Sequence, residues 1–207
     1  MKRRHFLSLA LGAIPLGLAT RAFADPLDVR LAAIAKARAG VSTMQGPFTQ
    51  ERTIGLMATK IRSTGTMWIE RPSRMRWELA APDSVIYWIT PEGLAYKGKN
   101  GQGRLPITER MAPQLEDLRA MLGGDIGSLK ARYDLVEVPA EGGQVAFEAT
   151  PKTLQNARFQ KLAFTLDADL VRPKKVTLIE GARDKTDIVF GELVKNGPID
   201  AALLKGL

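Results

Sequence analysis

The sequence predicts a mainly β fold with some α-helix: antiparallel strands in a meander that curls into a barrel or half-barrel, with helices inserted in the series. Three observations predict it. Apolar residues alternate with polar ones in short runs separated by Gly-, Pro- and Asn-containing turns, the pattern of an antiparallel meander. Helical spacing interrupts that alternation near the start and again in mid-chain. Each helical run is apolar on one side only, so each must lie on something larger.

The chain opens with Met1-Lys2-Arg3-Arg4-His5-Phe6-Leu7, an apolar run through Ala19, and then Ala22-Phe23-Ala24. A charged start, a short apolar stretch and a small-x-small site describe a cleaved export signal over residues 1–24. Roughly 14 apolar residues, broken by Pro15, fall short of the ~20 needed to span a bilayer. The Arg3-Arg4 pair fits a twin-arginine signal and fits equally an ordinary Sec signal. Residues 25–207 are then expected to form one domain, long enough for a full core.

Asp25-Pro26 reads as a helix start, with Leu27, Leu31 and Ile34 at helical spacing and Gly40 at the end. From residue 48 the period becomes two. Met67 and Ile69 share one face, Arg71-Pro72-Ser73 turns the chain, and Met75, Trp77 and Leu79 alternate with Arg74, Arg76 and Glu78. Residues 85–89 are apolar on both faces, which predicts a central strand. Leu94 and Tyr96 follow the Pro91-Glu92-Gly93 turn.

Helical spacing returns between residues 104 and 130, where Leu115, Leu118, Met121 and Leu122 form a stripe ended by Gly123-Gly124. A second short helix is expected over 126–131. Further strands are predicted over 133–138, 144–149, 159–166, 171–179 and 186–194, with Leu162 and Phe164 sharing a face in one and Ile188 and Phe190 in another. A last helical piece covers 199–204. Eight or nine strands result.

Composition removes several functions. There is no cysteine, hence no disulfide, no thiol nucleophile and no lipidation site on this chain. The one histidine, His5, lies in the signal, so the exported chain has no imidazole for triad or zinc chemistry. Neither a metal nor another cofactor is expected, and the chain reads as a binding protein, not an enzyme. The formal charge of +8 falls to +4 once Lys2, Arg3, Arg4 and Arg21 leave, which gives no case for nucleic acid.

The ordered set Gly46-Pro47-Phe48-Thr49-Gln50, Gly65-Thr66-Met67-Trp68-Ile69-Glu70-Arg71-Pro72 and Arg76-Trp77-Glu78 with Pro82 resembles the periplasmic outer-membrane lipoprotein carrier (LolA-like) family. Asn196-Gly197 and Asp200-Ala201-Ala202 match that family's C-terminal half. The resemblance implies a curved antiparallel sheet forming an unclosed β-barrel, covered by lid helices over an apolar cavity. It implies a periplasmic carrier that takes acylated lipoproteins from an inner-membrane ABC lipoprotein-releasing complex. Cargo then passes to an outer-membrane lipoprotein receptor. The carrier would be a monomer making transient membrane contact. It implies further that Arg71 hydrogen-bonds lid backbone and latches an empty cavity. Family members usually continue past Asn196-Gly197 into a further strand, where this chain ends at Leu207. That departure leaves a related carrier of another lipid or glycolipid as the alternative.

The cavity residues so implied are Phe48, Met67, Ile69, Met75, Trp77, Leu79, Tyr96, Leu162, Phe164 and Phe190. The lid residues are Leu115, Leu118, Met121 and Leu122, with Arg71 as latch. On pattern alone the same apolar residues fit an ordinary core, and Arg71, Arg74 and Arg76 fit a solvated strand face or a surface that steers an acidic partner. Leu56-Met57 reads first as simple packing and second as a membrane-touching loop. Glu109, Glu116 and Asp117 read as the wet face of the lid helix. A lid suits the physics: about 0.8 kcal/mol per buried methylene holds an acyl chain in a membrane, and a carrier must match that without exposing a large apolar patch.

Overall fold

The computed structural model describes residues 25–57, 59–109, 111–154 and 157–207. The export signal expected over 1–24, with its Arg3-Arg4 pair, lies outside the described residues.

Helix α1 (Pro26–Arg38) starts as the sequence predicts: the Asp25 carboxylate accepts from the Leu27 N–H at 3.0 Å and Pro26 stands in the first turn. Six strands follow as a meander: β1 (Thr43–Ile54), β2 (Thr59–Glu70), β3 (Arg74–Leu79), β4 (Val85–Thr90), β5 (Gly93–Gly98) and β6 (Gly101–Leu105). Helix α2 (Ala112–Leu122) and a 3-10 helix (Ile126–Ala131) come next. A second meander contains β7 (Tyr133–Val138), β8 (Val145–Pro151), β9 (Lys161–Leu166), β10 (Pro173–Ile179) and β11 (Lys185–Phe190). The two-residue β12 (Val194–Lys195) and the short helix α3 (Ala201–Leu204) end the chain.

All strands join one antiparallel sheet in the order β6-β5-β4-β3-β2-β1-β11-β10-β9-β8-β7, with β12 pairing beside β1. The two meanders meet where β1 pairs β11, with Phe48 opposite Phe190. The sheet stays open between β6 and β7, and the chain linking those two edges is the segment that carries α2 and the 3-10 helix. The expected unclosed antiparallel sheet with helices is therefore the observed architecture.

Among the described residues, twelve strands stand where eight or nine are predicted. β6 has Gly101 and Gly103 and little alternation, so its pattern does not announce a strand. The run 186–194 divides because the chain leaves β11 after Phe190 and rejoins the sheet at β12, with the Gly191 N–H donating to Pro47 O at 2.9 Å. Residues 85–89 form a strand, but not a central one: β4 is third from the β6 edge. Its second apolar face is explained by α3, whose Leu203 carbonyl accepts from Trp88 Nε1 at 2.8 Å.

The core lies between the concave sheet face and the helices. Leu31 and Ile34 of α1, Met121 and Leu122 of α2, and Ile126 and Leu129 of the 3-10 helix pack against Phe147, Phe164, Val176 and Ile188. Each fully buried aliphatic side chain contributes about 1.5–3 kcal/mol. No helix among the described residues is long and apolar enough to cross a membrane.

Candidate functional site: the concave face and its latch

Strand register decides which side chains share a surface, because alternate residues point to opposite faces. Phe48 stands opposite Gly65 and Phe190; Met67 and Ile69 follow Gly65 on β2; Trp77 stands opposite Met67, and Tyr87 opposite both Trp77 and Tyr96. On the other side Val176 links Ile188 to Phe164, and Leu178 stands opposite Leu162. Met75 and Leu79 flank Trp77 on β3. All ten residues predicted from the sequence to line a cavity thus lie on the concave face.

They do not share one environment. Phe48, Met67, Ile69, Met75, Leu162, Phe164 and Phe190 are buried beneath α1, α2 and the 3-10 helix. Trp77, Leu79 and Tyr96 are half-buried, and they line an open cleft of about 770 Å³. Ile61, Val85 and Tyr87 complete its apolar floor, while Gln50, Arg52, Ser63, Asp83 and Lys99 stand around it. Trp77 marks the boundary between filled and open regions: its ring stacks on Phe48 at 3.8 Å and meets Phe190 edge-on at 6.2 Å.

Leu115, Leu118, Met121 and Leu122, the residues expected to form a lid stripe, lie on α2 and face the core. Met121 and Leu122 are fully buried, and Leu115 and Leu118 are partly buried against the same core. The wet face needs a correction. Glu109 and Glu116 are exposed, but Asp117 is 2% exposed. Arg132 reaches over α2 from the entry to β7, donating to Asp117 at 2.5 and 3.1 Å, and the Tyr133 hydroxyl donates to the same carboxylate at 2.6 Å. Burial and the Asp117 charge hold the Tyr133 phenol well above its usual range.

Arg71 donates to Arg38 O and to Val41 O (3.2 Å), so it grips the end of α1 and the turn into β1. The α2 backbone is held by a residue that the sequence reading missed. Arg38 is 1% exposed and donates to Gly124 O at 2.7 Å, Ala120 O at 2.9 Å, Met121 O at 3.1 Å and Val171 O at 3.4 Å. These carbonyls include the unpaired ones at the α2 C-terminus, where a cation is favoured. Burial first, then the Arg71 charge, lowers the Arg38 pKa to about 10, so the guanidinium is charged at neutral pH. The sequence holds one signal for it: Arg38 continues the Leu27, Leu31, Ile34 stripe by one more turn.

Two further clamps were also missed. The Asn196 side chain accepts from Ser42 N at 2.8 Å and donates to Gly40 O at 3.0 Å, fixing the turn that Arg71 grips. Arg119 Nη2 ties α2 to Ser73 O at 3.2 Å. These bonds form a chain of contacts: β12 turn to α1 end, α1 end to α2, α2 to the β2–β3 turn.

Arg71, Arg74 and Arg76 do not form one patch. Arg74 pairs loosely with Glu92 at 3.6 Å. Arg76 lies on the convex face between Trp68 and Trp88, at 5.4 and 5.1 Å from their rings, and pairs with Glu78 at 2.5 Å. The packing expected for Leu56-Met57 is also overturned, since they are 96% and 63% exposed at the tip of the β1–β2 hairpin. Among the described residues no cluster of side chains could hold a metal ion.

The profile of a family described as "Outer membrane lipoprotein carrier protein LolA" matches residues 39–205. An outer-membrane lipoprotein carrier protein from Azotobacter vinelandii is 26% identical over 205 residues, covering 96% of this chain and 92% of that one. One from Alkalilimnicola ehrlichii is 30% identical over 125 residues, and the match spans only 52% of its length. Among solved structures, MucB matches with a TM-score of 0.54 and 20% identity, over 86% of this chain and 62% of that chain. That last likeness concerns the fold alone. With the match running from the end of α1 to the end of α3, this chain belongs to the outer-membrane lipoprotein carrier family.

Proposed function

We propose that the protein is a periplasmic carrier that holds the acyl chains of a lipoprotein against its concave sheet face and moves them between membranes. The observation that carries the reading is the cleft of about 770 Å³ floored by Trp77, Leu79, Val85 and Tyr96. It falls in the range of about 300–1,000 Å³ usual for small-molecule sites, and it continues into the buried part of the same face. A longer chain would enter by displacing α2, which means giving up both the packing of Met121 and Leu122 and the Arg38 bonds to its last carbonyls. Family membership supports the cargo class and supports delivery from an inner-membrane releasing complex to an outer-membrane receptor. The polar residues around the cleft, Gln50, Arg52, Ser63, Asp83 and Lys99, favour a second cargo as well: a lipid whose polar head stays at the rim.

Trp77 supplies the assay. Titrating a brominated fatty acid into the purified protein should quench Trp77, and Trp77→Phe should remove most of that signal. Native mass spectrometry of protein recovered gently from the periplasm should find an acylated lipoprotein or another lipid. No acyl-chain binding by the parent protein, with no copurifying lipid, would end the proposal.

A further inference from the structure

We infer that the β1–β2 hairpin tip is a membrane probe that places the cleft mouth against an anionic bilayer. Leu56 (96% exposed) and Met57 (63%) are adjacent exposed apolar residues at the hairpin tip, and Ile61 (41%) continues the apolar strip down β2 into the cleft floor. The tip is braced at its base. The Gly55 N–H donates to Asp184 Oδ1 at 2.9 Å, and a Cβ at Gly55 would meet Arg183 Cβ at 1.9 Å. The β10–β11 turn therefore braces the hairpin and keeps Leu56 from folding back.

Charge complementarity chooses the occupant. Arg52, Lys60, Arg62, Arg183 and Lys185 ring the tip. Glu51 offsets Lys60 and Arg62, Asp187 offsets Lys185, and Asp184 adds a third acid at the base of the tip, so five cations stand against three anions; Arg52 and Arg183 form no ion pair among the described residues. An apolar pair inside a basic collar suits the interface of a bilayer carrying anionic phosphates. Arg52 stands in both the collar and the cleft lining, so a lipid leaving the bilayer at this point meets the cleft directly.

The inference rests on the carrier reading for its purpose, and the test separates the two. The sequence has no cysteine, so Met57→Cys gives a single site for an environment-sensitive dye, with Val136→Cys on the exposed face of β7 as control. Vesicles of phosphatidylglycerol and phosphatidylethanolamine should blue-shift the dye at 57 and not at 136. Phosphatidylcholine vesicles should do so less, and added salt should weaken the shift. Leu56→Ser should weaken vesicle binding by about tenfold and slow lipid uptake from vesicles, leaving uptake of a soluble fatty acid unchanged. A dye at 57 that stays in water on vesicles, or uptake from vesicles that ignores Leu56→Ser, overturns the inference and leaves the cleft intact. A shift seen only with native membranes, and lost when their proteins are shaved off, overturns it in favour of a protein partner. Failure of soluble fatty-acid uptake in the parent counts against the cleft alone.

Discussion

Replacing Arg38 by methionine is expected to release α2 from the sheet. Methionine fills the path of the arginine stem, so the change removes the guanidinium without opening a large void. Three bonds to α2 and the residues just after it, at 2.7, 2.9 and 3.1 Å, are lost, and the Ala120 and Met121 acceptors stay buried while Gly124 O is part-buried. Hydrogen bonds from a charged donor contribute about 1.5–3 kcal/mol each, or about 5–9 kcal/mol together. Against this stands the burial of an arginine with no carboxylate partner. A pKa lowered from 12.5 to about 10 corresponds to roughly 3 kcal/mol of penalty on the charged form, which the variant no longer carries. The net expectation is a loss of about 2–6 kcal/mol, concentrated in α2. Urea unfolding at neutral pH reads the total, and hydrogen exchange of α2 amides reads the location; 2 kcal/mol is about thirtyfold faster exchange there. Arg38→Lys should lose most of the same stabilisation, because one ammonium cannot reach carbonyls that a planar fork spans. A methionine variant as stable as the parent, with α2 protection unchanged, would refute the reasoning.

Other outcomes follow from the same geometry. Arg71→Leu should loosen the α1–β1 turn and change acyl-chain release more than uptake, measured as dissociation of a fluorescent fatty acid; equal release rates would remove Arg71 from the latch. Gly65→Ala should destabilise by about 2–4 kcal/mol in urea unfolding, since its Cβ would sit 2.2 Å from Glu78 O and 2.4 Å from the Phe48 ring. Asp169 is raised by burial but lowered further by the Arg172 N–H, Lys195 and the Val171 N–H, so its folded pKa lies below that of an unfolded chain. Its contribution is complete above pH ~4 and disappears as pH falls through the lower folded value. Asp169→Asn should therefore cost about 1–2 kcal/mol at neutral pH, with the gap from the parent narrowing toward pH 3; a pH-independent gap would contradict this.

What the sequence revealed was what local pattern encodes. Alternation along 75–79 and 162–166 announced strands and their inward faces, and Asp25-Pro26 announced α1. Register, which only the fold supplies, brings those inward faces together on one concave surface. The contacts that hold α2 were not legible. Arg38 is buried because α2 and Val171, distant in sequence, arrange carbonyls around it, and no local pattern marks an arginine as interior. Asp117 is hidden for the same reason, by Arg132 and Tyr133. Leu56-Met57 erred in the opposite direction: apolar residues are expected inside, and only the brace from Arg183 and Asp184 shows that they are held outside.

The order of strands also dictates an order of assembly. β1 to β6 are neighbours in both chain and sheet, so that half can form by closing short loops. Its long leading strand then waits for β11, synthesised near the end, to cover its other side. Until residue 190 has emerged, one flank of Thr43–Ile54 is an unpaired row of amides and carbonyls, and Phe48 lacks its aromatic partner. A chain halted before β11 should aggregate or recruit a chaperone, and one halted after it should not.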